Sequence, residues 1–384
     1  MTDPLTSRGI RGSRRPLRVL QVTPRFFPQV GGVETHVYEV GRRLAERGVD
    51  VTVLTTDEGL ELPTEETIAG MRVVRAPAWP AGRDYRFAPG VWRALMTRQW
   101  DVVHCQSAHT LVAPMGMLAA WRAGLPYVVS FHTGGATTPL RSALRGAQWR
   151  ALRPLFAHAA RLIGPSAWEV DYFQQFLRLP AKRFANVPNG AQRVADIETR
   201  PLTPRPDPLI VSAGRLVRYK GHQRALAAMP HLLHALPDAR LRIAGVGPYE
   251  GALRQQAQRL GVSAHVTIAG FPPDDQRGMV ALMAQADLVT LLSEHEAQGI
   301  TAVEALALGR PTLVADTTAL RELAQRGLAR SVAIEAPPRQ VAEAMLAQLR
   351  DPLIPQPIHF PTWEQCADDL LMIYQQASHA HCAR

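Results

Sequence analysis

Residues 17–36 read LRVLQVTPRFFPQVGGVETH, an apolar run, a loop holding Gly31 and Gly32, and the opening of a helical pattern that continues from about Val33 to Arg47. Strand, loop and helix then recur. DVTVLTT (50–56), MRVVRA (71–76), DVVHC (101–105), PYVVSFH (126–132) and RLIGPS (161–166) continue the series, mostly separated by helix-length segments. Continuous apolar strands joined by helical crossovers predict a parallel sheet covered on both faces. In ADIETRPLTPRPDP (195–208) the pattern stops and prolines crowd together, which predicts a linker. A second series follows: PLIVSAG (208–214), ARLRIAG (239–245), HVTIAG (265–270), DLVTLLS (287–293), RPTLVAD (310–316) and SVAIEA (331–336). The expected architecture is therefore α/β, with Rossmann-like domains over 17–194 and 209–361 facing each other. Open α/β sheets bind ligands at the carboxyl ends of their strands, so the cleft between the halves is the expected site. In TWEQCADDLLMIYQQA (362–377), Trp363, Ala367, Leu370, Leu371 and Tyr374 are helically spaced, so residues 362–384 should form a helix lying on another surface.

Composition narrows the classes. With 384 residues, 46% hydrophobic and 20% charged, the chain is long enough for two cores. It lacks an apolar run near the roughly 18 residues that a bilayer span needs. Lys plus Arg is 43 against 33 for Asp plus Glu, a net charge of +10, and the only lysines are Lys182 and Lys220. That balance invites nucleic acid, an anionic membrane or a phosphorylated ligand. Aromatics are only 6%, and no basic stretch is interleaved with them, which disfavours nucleic acid. Residues 1–16, rich in arginine and without an apolar core, read as a disordered basic arm rather than a secretory signal. Cys105, Cys366 and Cys382 lack metal-ligand spacing and suggest free thiols in a reducing, cytoplasmic setting.

Five loops after strands carry chemistry. Gly31 and Gly32 let backbone approach a ligand beside a helix start, although a turn can need glycine for its geometry alone. In SAGRLVRYKGH (212–222), Arg215 and Lys220 offer a planar fork and a compact ammonium to a diphosphate. GVGP (245–248), with Gly247, suits close packing of a base or phosphate, or a simple turn. SEHEAQGITAVEALALGRPTLVAD (293–316) is the most informative. It places Glu296 in a loop, amides of Gly299, Ile300 and Thr301 at a helix start, and Glu304 on an otherwise apolar helix, where a carboxylate needs hydrogen-bond donors such as ribose hydroxyls. In SFHTGG (130–135), His132 sits at a strand's carboxyl end, as a catalytic group or a structural hydrogen-bonder. His109, after DVVHCQSA, reads as a surface-loop residue.

Taken together, these loops resemble those of the retaining GT-B glycosyltransferases of family four, from Leu17 to about Ala377. PQVGGVETH is similar to that family's Gly-Gly loop, VPNGAQ (187–192) to its Asn-Gly turn, GRLVRYKG to its diphosphate pair, and EAQGITAVEALALGRP to its paired-glutamate motif. The resemblance implies that Arg215 and Lys220 neutralise the diphosphate, Glu304 holds the ribose and Glu296 contacts the sugar. Gly32 would approach the β-phosphate, the amides of Gly299 to Thr301 would meet phosphate, and His132 would contact the donor sugar or orient the acceptor. The terminal segment would cross back onto the first domain. The implied reaction moves a hexose or N-acetylhexosamine, with retention, from a UDP-sugar (UDP-N-acetylglucosamine or UDP-glucose ahead of a GDP-sugar) to a hydroxyl of a small molecule. No DxD triplet occurs, which fits a metal-independent enzyme without a cofactor. The arginine bias of a GC-rich genome suggests an actinobacterial small-molecule pathway, antibiotic biosynthesis included, with an aminocyclitol or inositol as acceptor.

Two departures bear on the sugar. Ala297 and Gln298 stand where the family usually has an aromatic, and Gln106 where it usually has a second histidine. The alternatives are a sugar-nucleotide 2-epimerase on the same fold, for which no acid/base pair at C2 is evident, a basic nucleic-acid binder, and a glycolipid enzyme at a membrane surface. The last would use PLRSALRGAQWRALRPLFAHAAR (139–161), with Trp149 and Phe156. Its arginines do not gather on one face and Pro154 should interrupt it, so an acceptor-side helix is expected instead.

Overall fold

The computed structural model describes residues 15–29, 31–59, 61–80, 86–97, 100–133, 135, 139–191, 197–203, 205–272, 275–354 and 360–382. Residues 1–14 of the expected arm and 195, 196 and 204 of the expected linker lie outside these, as does the side chain of Cys382.

The first domain has eight strands: β1 (Arg18–Val22), β2 (Asp50–Asp57), β3 (Glu65–Ile68), β4 (Met71–Pro77), β5 (Val102–Gln106), β6 (Tyr127–Ser130), β7 (Arg161–Gly164) and β8 (Phe184–Asn186). Their order is β3-β4-β2-β1-β5-β6-β7-β8, parallel except where β3 pairs antiparallel with β4. Five helices belong to it: α1 (Gly32–Glu46), α2 (Gly90–Met96), α3 (Val112–Arg122), α4 (Pro139–His158) and α5 (Ala167–Leu177). The second domain is a six-stranded parallel sheet of β9 (Leu209–Ala213), β10 (Arg240–Ala244), β11 (Val266–Ala269), β12 (Leu288–Leu291), β13 (Thr312–Ala315) and β14 (Arg330–Val332), ordered β11-β10-β9-β12-β13-β14. Its helices are α6 (His222–Ala235), α7 (Glu250–Arg259), α8 (Gln276–Ala284), α9 (Ile300–Ala307), α10 (Thr318–Gln325) and α11 (Pro338–Arg350), and the chain ends in α12 (Trp363–Cys382).

Period-two alternation feeds two cores in the first domain. Val19 of β1 packs with Val37, Val40 and Leu44 of α1 and with Trp363, Leu370 and Tyr374 of α12. Leu20 and Val22 face the other way, toward Met117 of α3, Trp149 and Phe156 of α4 and Phe173 of α5. The terminal helix thus completes the first domain, not the second. In the second domain Ile210 faces the layer of α6, α7 and α11, while Val211 faces α8 and α9.

Three features differ from the sequence reading. The edge strands β3 and β8 lacked a readable apolar run, because short edge strands need only one paired neighbour. Helix α4 runs through Pro154 without interruption. Trp149 and Phe156, on either side of that proline, are fully buried and hold both segments on the core, outweighing the lost backbone hydrogen bond. The segment 197–203 is also not a free tether: Arg200 N donates to Ala284 O at 3.0 Å, and Arg310 Nη1 donates to Arg200 O at 2.8 Å. Cys105 and Cys366 are buried free thiols.

Candidate active site

The loop after β9 is built around a left-handed glycine. Gly221 has φ +79°, and a Cβ there would lie 1.8 Å from Leu292 O, so only glycine lets this loop touch the one after β12. Contact of the two loops brings Lys220 Nζ to 2.6 Å from Glu296 Oε1, with both side chains largely buried. Ser293 Oγ donates to the same oxygen at 2.7 Å. Thr318 Oγ1, at the start of α10, accepts from Glu296 N at 2.9 Å and donates to Glu296 O at 3.0 Å, which fixes the backbone beneath the carboxylate. His222 braces the loop from inside: its Nδ1 meets Ser212 Oγ at 2.8 Å and its Nε2 meets Arg215 O at 3.2 Å. Burial lowers its pKa to about 4, so it is a neutral brace.

Arg215 is exposed and donates from Nη2 to Tyr219 Oη at 2.9 Å. Tyr219 stacks on His295, with centroids 4.5 Å apart and planes 16° apart, tying the two loops together. Arg215 also reaches the first domain: a Cβ at Gly31 would lie 3.8 Å from its Nε, and its charge acts on Glu34. Gly32 comes equally close to the second domain, where a Cβ added to it would sit 3.5 Å from Ile300 Cδ1. The glycine pair and the cationic loop therefore meet across the cleft. Gly299 opens α9, and Ile300 and Thr301 form its first turn.

Glu304 lies on the next turn of α9, between the buried Val303 and Ala305, and keeps part of its surface open. It has no hydrogen-bond or ion-pair partner among the described residues. Burial first, and the charge of Glu39 on α1 second, raise its pKa to about 7. A poorly solvated carboxylate without a donor is a site awaiting one.

Gly247 has a local explanation. A Cβ there would lie 2.5 Å from Leu216 O, so its glycine permits the GVGP turn to pack on the backbone of the Arg215 loop. It supports that loop from behind.

His132, at the carboxyl end of β6, has φ +50°, an uncommon conformation for a side-chain-bearing residue. Glu169 holds it there, accepting from His132 N at 3.1 Å and from Thr133 N at 2.7 Å. His132 Nε2 lies 3.0 Å from Gln106 Oε1, which accepts only, so the proton is on Nε2 and Nδ1 is left as an acceptor. Gln106 is fixed by its own donation to Gln21 Oε1 at 3.0 Å. Burial, reinforced by His36, His104 and His109, pushes the His132 pKa well below its ordinary value, so the ring is neutral.

Sequence reasoning missed Glu169, Ser293, Thr318, Tyr219 and His295. Only Glu169 had a local signal, since Ser166 caps α5 by accepting from Glu169 N at 3.2 Å and SAWE is a capping-box pattern. Gln298, noted only as a departure, pairs with the Asn189 backbone across the domains: its Oε1 accepts from Asn189 N at 2.9 Å and its Nε2 donates to Asn189 O at 3.2 Å.

Two family profiles divide the chain between them: Glycosyltransferase Family 4 matches residues 30–192, and Glycosyl transferases group 1 matches residues 195–359. The chain belongs to glycosyltransferase family four. It is similar to D-inositol 3-phosphate glycosyltransferase 1 of Catenulispora acidiphila, 29% identical over 90% of this chain and 91% of that one. It is 28% identical to the GDP-mannose:cellobiosyl-diphosphopolyprenol alpha-mannosyltransferase of Komagataeibacter xylinus, covering 94% and 93% of the two chains. In fold it matches Anabaena HepE in complex with UDP-glucose, at a TM-score of 0.70 and 20% identity, covering 96% of this chain and 100% of that chain. The protein is thus a GT-B hexosyltransferase using a nucleotide sugar.

Proposed function

We propose that this glycosyltransferase moves a hexose or N-acetylhexosamine from a UDP-sugar, with retention and without a metal, to a hydroxyl of a small polyol, an inositol or aminocyclitol. The observation that carries the reading is the meeting of Arg215 and the Lys220–Glu296 pair with Gly31 and Gly32 across one cleft. As the glycosidic bond breaks, charge grows on the leaving diphosphate. Arg215, Lys220 and the first amides of α9 are placed to stabilise it, the largest kind of electrostatic contribution to such a barrier. Glu304 supplies the carboxylate for the ribose hydroxyls. Glu296, already hydrogen-bonded by Lys220 and Ser293, accepts from sugar hydroxyls when Lys220 turns to the phosphates. Neutral His132 offers Nδ1 to a hydroxyl of sugar or acceptor rather than a positive charge. In a same-face attack the acceptor proton passes to a departing phosphate oxygen.

An inositol-type acceptor is supported by the relative from Catenulispora acidiphila, whose name specifies D-inositol 3-phosphate. The GDP-mannose enzyme of Komagataeibacter xylinus sets the competing donor. The test is protection against thermal unfolding by UDP-glucose, UDP-N-acetylglucosamine and GDP-mannose, followed by NMR of the product with inositol 3-phosphate. A ligand that binds only the folded state raises Tm. The reading expects a UDP-sugar to protect most and an axial product linkage matching the donor. Protection by GDP-mannose alone, or an inverted linkage, would overturn it.

A further inference from the structure

The layer formed by α2, α3 and α4 differs from the rest of the surface in charge. From Val102 to Trp168 the sequence contains no Asp or Glu, and α2 and α3 carry Arg93 and Arg122 with no acid. The opposite face of the same domain is balanced, with Arg43 Nε 2.7 Å from Glu364 Oε1 and Arg47 Nε 2.9 Å from Asp368 Oδ1. Arg93 and Arg122 are exposed and make no hydrogen bond or ion pair among the described residues.

The same layer exposes apolar side chains. Trp79 and Phe87, 75% and 56% exposed, are held side by side by an antiparallel bridge just before α2. Trp92 and Met96 follow at helical i, i+4 spacing on α2, and Leu118 and Trp121 at i, i+3 on α3, all exposed. Helix α2 packs on α3, and the Trp121 ring lies 5.1 Å from that of His158 at the end of α4. Aromatic and aliphatic groups thus share one surface with unpaired arginines. By contrast Trp149 and Phe156, on which the sequence-based membrane alternative rested, are in the core.

We propose that this face docks the enzyme on an anionic lipid bilayer. Tryptophan settles at the headgroup level, aliphatic side chains enter the acyl boundary, and arginines gain from an anionic surface. Met96 and Leu118 would add nothing to a phosphate backbone, which argues for lipid over nucleic acid. A symmetric dimer through this face would set arginine against arginine, with no carboxylate on α2, α3 or α4 to relieve them. Among the described residues no helix is long and apolar enough to cross a membrane, so docking here is peripheral. The proposal is independent of which sugar is transferred.

The experiment is co-sedimentation of the full chain with vesicles of equal parts phosphatidylglycerol and phosphatidylcholine, and with phosphatidylcholine vesicles alone. The protein should sediment with the anionic vesicles, less so at high salt, and not with the neutral ones. Arg93→Gln and Arg122→Gln should each lower partitioning about fivefold. Trp92→Ser with Trp121→Ser should lower it further at unchanged Tm, whereas Met372→Ser, exposed on α12, should not. Equal binding to both vesicles, variants that sediment like the parent, or tight binding to duplex DNA without vesicle binding would overturn the proposal.

Discussion

Lys220 and Glu296 share one hydrogen bond, yet each has a separate task in the proposed reaction. Lys220→Ala removes a phosphate partner and also leaves Glu296 with Ser293 alone. Turnover should fall roughly a hundredfold to a thousandfold, since one lost donor to a developing oxyanion costs about 2.7 to 4 kcal/mol. Because the two residues touch, Lys220→Ala and Glu296→Gln should combine to less than the sum of their effects in a double-mutant cycle on kcat. Glu304 makes the complementary case. Its pKa, raised by burial to about 7, lies above the ordinary value of 4.5 that it has when unfolded. The folded state therefore binds the proton more tightly, and stability falls as pH rises from about 4.5 to 7. Glu304→Gln should raise Tm at pH 8 and change it little at pH 4. An equal shift at both pH values would show that the carboxylate is not held in a poorly solvated site.

At the scale of elements, helix α12 is anchored by Tyr374, whose hydroxyl lies 2.6 Å from His104 Nδ1 in a fully buried pair that also includes Ser130 Oγ, 2.8 Å from His104 Nε2. Tyr374→Phe should destabilise by about 0.5 to 1.5 kcal/mol in denaturant unfolding, the net worth of one hydrogen bond, because Gln106 Nε2 stays 3.3 Å from His104 Nδ1. This contact shows where the sequence stops being readable. The helical spacing of Trp363, Leu370 and Tyr374 was plain, and so was the series of strands and helices, because both are local periodicities. The surface that α12 covers was given only by the family resemblance, since its partner His104 lies 270 residues away. Candidate loops were legible from glycine and charge, but their contacts were not. Ser293 and His295 are ordinary loop residues until the left-handed Gly221 brings two loops together, and Thr318 is an ordinary helix start. Pro154 shows the reverse error, a strong local signal overridden by Trp149 and Phe156 in the core.

Across the whole molecule, side chains and loops of the two domains touch one another. Gln298 pairs with Asn189, Glu322 accepts from Trp168 N, and the Gly31 loop meets Arg215. These contacts join the two halves directly, beside the linker. X-ray scattering should find the free protein already compact, with Gln298→Ala larger in its dimensions and donor restoring them. If the parent contracted strongly on adding donor, the contacts described would belong to the bound state only. The central claim, that the paired glutamates divide nucleotide from sugar, is tested most directly by calorimetric titration of UDP and of UDP-glucose into the parent, Glu304→Gln and Glu296→Gln. Glu304→Gln should weaken both ligands by about 1.5 to 3 kcal/mol, and Glu296→Gln should weaken UDP-glucose while leaving UDP unchanged. If Glu304→Gln bound both ligands as the parent does, the assignment of this cleft would be contradicted.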